Sequence, residues 1–183
     1  QKMKDAENGG SGKSKNYRTI FANCAIIGDS ITEGLTAYGF LGEEQVFSVV
    51  GGAVSKDEAM FDKAAATYPK VAFFSYGMND MGNFNGDADS FINQYSALIS
   101  KFKKKSPKTK IFVNGISTPN ESAINANKVI GNYKIFNKKI KAMCKKLKIT
   151  YIDTAHILVD DPSLYAGDGI HVQPAYYVIW LDL

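Results

Sequence analysis

The stretch IIGDSITEG, Ile26 to Gly34, sets an apolar run against a glycine and then, without a spacer, Asp29 and Ser30. A short run of continuous apolar residues fits a strand covered on both faces. An acid and two hydroxyl residues directly after it fit the start of a helix, where side-chain oxygens satisfy free backbone N–H groups. The stretch therefore reads as strand, tight turn, helix. Ser30 has two readings there: a helix cap, or a hydroxyl held at the carboxyl end of a strand to react.

The same alternation continues along the chain. Strands are expected at Ile20–Ile27, Val46–Val50, Val71–Tyr76, Lys110–Asn114 and Ile149–Ile152. Helices are expected at Thr32–Tyr38, Lys56–Ala66, Ala88–Lys105, Ala123–Leu147 and Ala175–Leu181. In the third of these, Phe91, Tyr95, Leu98 and Phe102 recur at three- and four-residue steps and draw one apolar stripe. Pro174 suits the first turn of the last helix. Strand–helix alternation predicts an α/β fold: a parallel sheet with helices on both faces and right-handed crossovers. Ligands bind at the carboxyl ends of the strands in such folds. Ser30, Gly51-Gly52 and Gly77-Met78-Asn79-Asp80 all fall just past predicted strand ends.

The remaining composition bounds the problem. The chain has 183 residues, 45% apolar and 22% charged, enough to bury a sizeable core. Residues 1–16 are polar and read as a tail or linker, and 17–183 as one domain. That Lys/Gly/Ser-rich front resembles a linker behind a removed signal or anchor, which points to export; a cytosolic protein is the alternative. No apolar run reaches the roughly 20 residues of a membrane helix, so no membrane span is expected. The formal charge is +4, of which residues 1–18 carry +3. The body is thus expected to be nearly neutral, without the basic face that nucleic acid requires. The lysine clusters Lys101–Lys108 and Lys134–Lys148 read as solvated helix faces and C-terminal turns. Cys24 and Cys144 have no partner at metal-ligand spacing; buried thiols are expected, with a disulfide left open.

A reactive serine needs a base, and the chain has two histidines. His171 lies in AGDGIHVQP, three residues after Asp168 on a glycine-containing loop. A carboxylate so placed can turn back onto the imidazole Nδ1–H, leaving Nε2 to take a serine proton. His156, in DTAHILVDD, also follows an aspartate by three, but its apolar neighbours suit packing or a loop hydrogen bond better. Acyl transfer also develops an oxyanion, for which donors must wait. Ser30 N–H, Gly52 N–H and the Asn79 side-chain amide are the candidates. Asp29, Asp80, Phe84 and Tyr165 are expected to line the substrate pocket, with the loop Met81–Asn85 nearby.

GDSIT at 28–32, the Gly51-Gly52 turn, GMND at 77–80 and DGIH at 168–171 resemble, in order, the four blocks of the SGNH (GDSL-type) hydrolases. Ile31 stands where the family's name has leucine. The resemblance implies a flavodoxin-like three-layer α/β/α sandwich with a mostly parallel five-stranded sheet. It implies Ser30 as nucleophile, Asp168 and His171 completing the triad, and Ser30, Gly52 and Asn79 around the oxyanion, with no metal or other cofactor. The expected activity is hydrolysis of short-chain esters, acetyl on carbohydrate foremost, so the partner is a small-molecule or glycan ester. The alternatives are a lipase, a thioesterase or a sugar O-acyltransferase on the same triad, or a non-catalytic glycan- or phosphate-binding module with Ser30 as a cap.

Overall fold

The computed structural model describes residues 15–183; residues 1–14, nearly all of the expected polar tail, lie outside the described residues. Five strands form one sheet: β1 (Cys24–Gly28), β2 (Val46–Ser48), β3 (Val71–Ser75), β4 (Lys110–Asn114) and β5 (Thr150–Ile152). Their order is β2-β1-β3-β4-β5, and every pairing is parallel. The register sets Ile26 between Val46 and Phe73, and Phe73 against Phe112. Ala25, Ile27, Phe74 and Val113 have no exposed surface, as expected of strands covered on both sides.

Nine helices accompany the strands among the described residues: α1 (Tyr17–Ile20), α2 (Ser30–Ala37), α3 (Glu58–Ala65), α4 (Met78–Asn83), α5 (Ala88–Lys105), α6 (Glu121–Ala126), α7 (Tyr133–Leu147), α8 (His156–Asp160) and α9 (Pro174–Leu181). α3, α5 and α7 cover one face of the sheet, burying Phe61, Tyr95, Phe102 and Phe136 among others. α2, α8 and α9 cover the other, around Leu35, Leu158, Tyr176 and Tyr177. α5 shows why a sequence folds this way. Asp87 caps it by accepting from the N–H groups of Asp89 and Ser90. Its predicted stripe is buried, and Lys103, Lys104 and Lys105 close its last turn against the negative helix end.

Three expectations need correction. The first strand begins at Cys24, because Tyr17–Ile20 coils into a helix capped by Asn16. The helix expected over 123–147 is broken: α6 ends at Ala126, a 3-10 turn follows over Lys128–Asn132, and α7 starts at Tyr133. The body is also not evenly neutral. Residues 88–152 hold fourteen lysines against Asp89 and Glu121, a net +12, while the other described residues hold five basic and fourteen acidic residues, a net −9. An average over the body hides this segregation. Cys24 and Cys144 are both free thiols, half-buried and buried respectively.

Candidate active site

β1 delivers its last residue, Gly28, into a space only glycine fits: a Cβ there would lie 2.6 Å from Ser75 O and collide with Thr32. The next residue, Asp29, caps α2, its Oδ1 accepting from Ile31 N–H at 3.0 Å. The acid, not the serine, is therefore the cap. Ser30 becomes the first helical residue, with a backbone N–H that has no partner within the helix and a side chain released for other contacts. Its Oγ lies 2.8 Å from His171 Nε2.

His171 comes from the opposite end of the chain. Asp168 organises its loop: Oδ1 accepts from Ile170 N–H (2.9 Å) and His171 N–H (2.8 Å), and Oδ2 faces His171 Nδ1 at 2.5 Å. Gly169 turns the loop at φ +70°, a conformation that favours glycine. Burial pushes the Asp168 carboxyl up, but the His171 ring and the two N–H groups together hold it below the usual range. A carboxylate against Nδ1 selects the tautomer whose Nε2 is open to the serine proton.

The residues after β2 and β3 form the floor. Gly51 adopts φ +71° and Gly52 N–H donates to Val49 O (2.9 Å), closing a turn. The Asn79 side-chain amide donates to Gly52 O (2.9 Å). Asp80 is fully buried and accepts from Val54 N–H (3.0 Å) and Ser55 N–H (3.3 Å). Asp57 accepts from Ala53 N–H (3.2 Å) and Tyr76 O–H (3.3 Å). The strap 52–55 is thus held from below by side chains of α4 and the start of α3. Burial pushes Asp29 and Asp80 each up to about 6, against the lowering pull of the N–H groups they accept from.

A cleft of about 180 Å³ opens over these groups, lined by Asp29, Ser30, Ile31, Met78, Asn79, Gly82, Asn127, Ile130, Ile170 and His171. Of the predicted pocket residues, Asp29 lines it. Asp80 does not, because it is spent on the strap. Phe84 packs edge-on against Phe91 (6.1 Å between centroids), and Tyr165 O–H donates to Thr118 O (2.6 Å), so both serve the scaffold. Gly52 does not line the cleft, and its N–H is already used in the turn. His156 stands exposed at the start of α8, neither packed nor near the serine. Asn127 and Ile130 were not anticipated, since that segment reads as continuous helix; the asparagine-rich INANK run is the one signal of a break. Among the described residues no group of three or more His, Cys, Asp or Glu is placed to hold a metal ion.

The fold resembles that of known proteins. The chain is similar to a GDSL-like lipase from Bacteroides thetaiotaomicron (17% identity over 87% of this chain and 84% of that one, TM-score 0.66). It is similar to a carbohydrate esterase of family 3 from Talaromyces cellulolyticus (16%, 87% and 92%, TM-score 0.67). It is also similar to a catalytic mutant of an acetylxylan esterase from Geobacillus stearothermophilus (16%, 87% and 90%, TM-score 0.65). At these identities the likeness shows a shared fold. No curated protein sequence matches. The model of the GDSL-like Lipase/Acylhydrolase family matches residues 26–179, from the middle of β1 to the last turn of α9. The chain therefore belongs to the GDSL-like lipase/acylhydrolase family and is an ester hydrolase.

Proposed function

We propose that this enzyme cleaves short-chain esters, acetyl esters of carbohydrate foremost, through a Ser30–His171–Asp168 triad and an acyl-enzyme. The observation that carries the reading is the chain of contacts Ser30 Oγ to His171 Nε2 (2.8 Å) and His171 Nδ1 to Asp168 Oδ2 (2.5 Å). His171 takes the Ser30 proton as Oγ attacks the carbonyl, and Asp168 stabilises the imidazolium that forms. The developing oxyanion is met by Ser30 N–H and the Asn79 amide, whose orientation is fixed by Gly52 O. Gly52 N–H joins them only if its bond to Val49 O opens. His171 then returns the proton to the leaving alcohol, and a water activated by the same imidazole releases the acid.

Cleft size supports the short acyl group. The cleft's 180 Å³ compares with the roughly 150 Å³ of a cavity that takes up one benzene ring. An acetyl ester with part of its alcohol is of that size, whereas an octanoyl chain extends out of it. The polar Asn127 and Asn79 beside apolar Met78 and Ile130 suit a hydroxyl-bearing alcohol. The fold shared with carbohydrate and acetylxylan esterases agrees with this reading. A panel of acetyl, butyryl and octanoyl aryl esters, with an acetylated oligosaccharide alongside, tests it. Turnover should fall with chain length and acetate should leave the oligosaccharide. A preference for octanoyl, or an inert oligosaccharide, would contradict the substrate class.

A further inference from the structure

The two lysine runs that read as separate solvated faces lie side by side. α5 and α7 pack against each other on one face of the sheet. Each follows a parallel strand, so they point the same way. They end together at the amino ends of the strands, where Lys103 Nζ donates to Leu147 O (3.4 Å). The loop before β3 joins them: Thr109 Oγ1 donates to Pro69 O (2.6 Å) and Lys110 N–H to Lys70 O (3.0 Å). The outcome is a continuous basic end on which Lys103, Lys104, Lys108, Lys145, Lys146 and Lys148 are all exposed. Among the described residues no carboxylate pairs with any of the six; the nearby pairs are Lys101 with Glu58 and Asp62, and Lys139 with Asp89. Tyr68 stands on the same end, 68% exposed, its ring free to sit at a polar–apolar boundary.

We propose that this end is a docking surface for an anionic lipid bilayer. Two features favour a bilayer over other polyanions. All but one of the 22 basic residues are lysine, a point charge that suits diffuse attraction, whereas nucleic acid readout relies on the planar arginine fork. An exposed tyrosine within a lysine field matches the chemistry of the headgroup layer. With all six lysines at the amino ends of the strands, that end is the one turned toward the anionic surface. Docked this way, Ser30 faces away from the bilayer, and the substrate is an ester in the adjoining water, not the lipid beneath.

The test is co-sedimentation of the full chain with phosphatidylcholine vesicles, with and without about a third phosphatidylglycerol, at low salt and at about 0.5 M salt. The wild type should pellet with the anionic vesicles only, and salt should release it. The variant K103E/K104E/K145E/K146E should lose roughly a hundredfold or more in vesicle affinity, while keeping its thermal midpoint and its turnover of a soluble aryl ester. Tyr68→Ala should weaken vesicle binding a few-fold. Salt release of the wild type stands as a separate measurement should the quadruple variant fail to fold. Equal binding to neutral and anionic vesicles, no binding to either, or salt-insensitive binding would overturn the proposal. So would duplex DNA displacing the vesicles at equal charge, which would assign the surface to nucleic acid.

Discussion

The turn that carries Ser30 and the loop that carries Asp168 and His171 meet across 2.8 Å, yet they are built in opposite ways. The serine turn is part of the core. Gly28 and Asp29 are buried, Thr32 has no exposed surface, and Gly34 lies so close to the Tyr177 ring that a side chain there collides with it. The 168–171 loop sits outside the sheet with the His171 and Asp168 side chains each 48% exposed. It holds its shape through local hydrogen bonds: Ala166 N–H to His171 O, Gly169 N–H to Ala166 O, and the two N–H groups on Asp168 Oδ1. Packing positions Ser30, the proposed nucleophile, while a self-bonded loop positions His171, the proposed base. Substitutions in the first region should therefore act on stability, and substitutions in the second on rate.

Ser30 is the informative exception, because its side chain belongs to the second group while its backbone belongs to the first. Ser30→Ala should lower turnover of an aryl acetate by about 10³-fold or more and leave the thermal midpoint within a few degrees of wild type. A variant that keeps most of its rate removes the serine from the mechanism. Asp168→Asn should lower kcat by about 10²- to 10⁴-fold, since an amide no longer selects the open Nε2, again with little change in melting. Stability loss comparable to a core substitution would show that the loop is not locally held.

Changes in the buried turn should show the reverse. Gly28→Ala forces a Cβ against Ser75 O and Thr32 and should cost about 1–3 kcal/mol in denaturant unfolding. Asp29 and Asp80 add a pH signature. Both carboxyls hold their proton more tightly folded than unfolded, being pushed up to about 6 by burial. Their contribution is thus full below the unfolded value near 4 and is lost as pH rises through about 6, on the order of 3 kcal/mol for each across that window. Urea unfolding from pH 4 to 7 measures it, and Asp80→Asn should flatten the slope. Asp168, held low, works in the other direction at acid pH, weakly because it is half-exposed. The smallest effect belongs to Gly169→Ala, where φ +70° and the neighbouring Asn120 amide should cost about 1 kcal/mol or slightly more.

Much of this was readable in the chain. The parallel sheet follows from apolar runs alternating with amphipathic helices, Ser30 from a motif at a strand end, and Asp168 and His171 from their spacing on one loop. What was misread has a common cause, which is that a motif names a residue but not the direction of its side chain. Asp29 took the cap that Ser30 could have filled. Asp80, Phe84 and Tyr165 turned inward to hold the strap, α5 and Thr118 O. Asn127 and Ile130 reached the cleft because a helix read as continuous breaks there. The charge of the body, small on average, is concentrated in residues 88–152, and the packing of α5 against α7 brings the two lysine runs of that segment to one end.

Peptide-mapped labelling with a fluorophosphonate tests the central claim most directly, because the probe reports an activated serine without assuming a substrate. The account predicts one adduct, on Ser30, absent in Ser30→Ala and formed far more slowly in His171→Ala. Labelling at another serine, or an unlabelled protein that still hydrolyses aryl acetate, would contradict it.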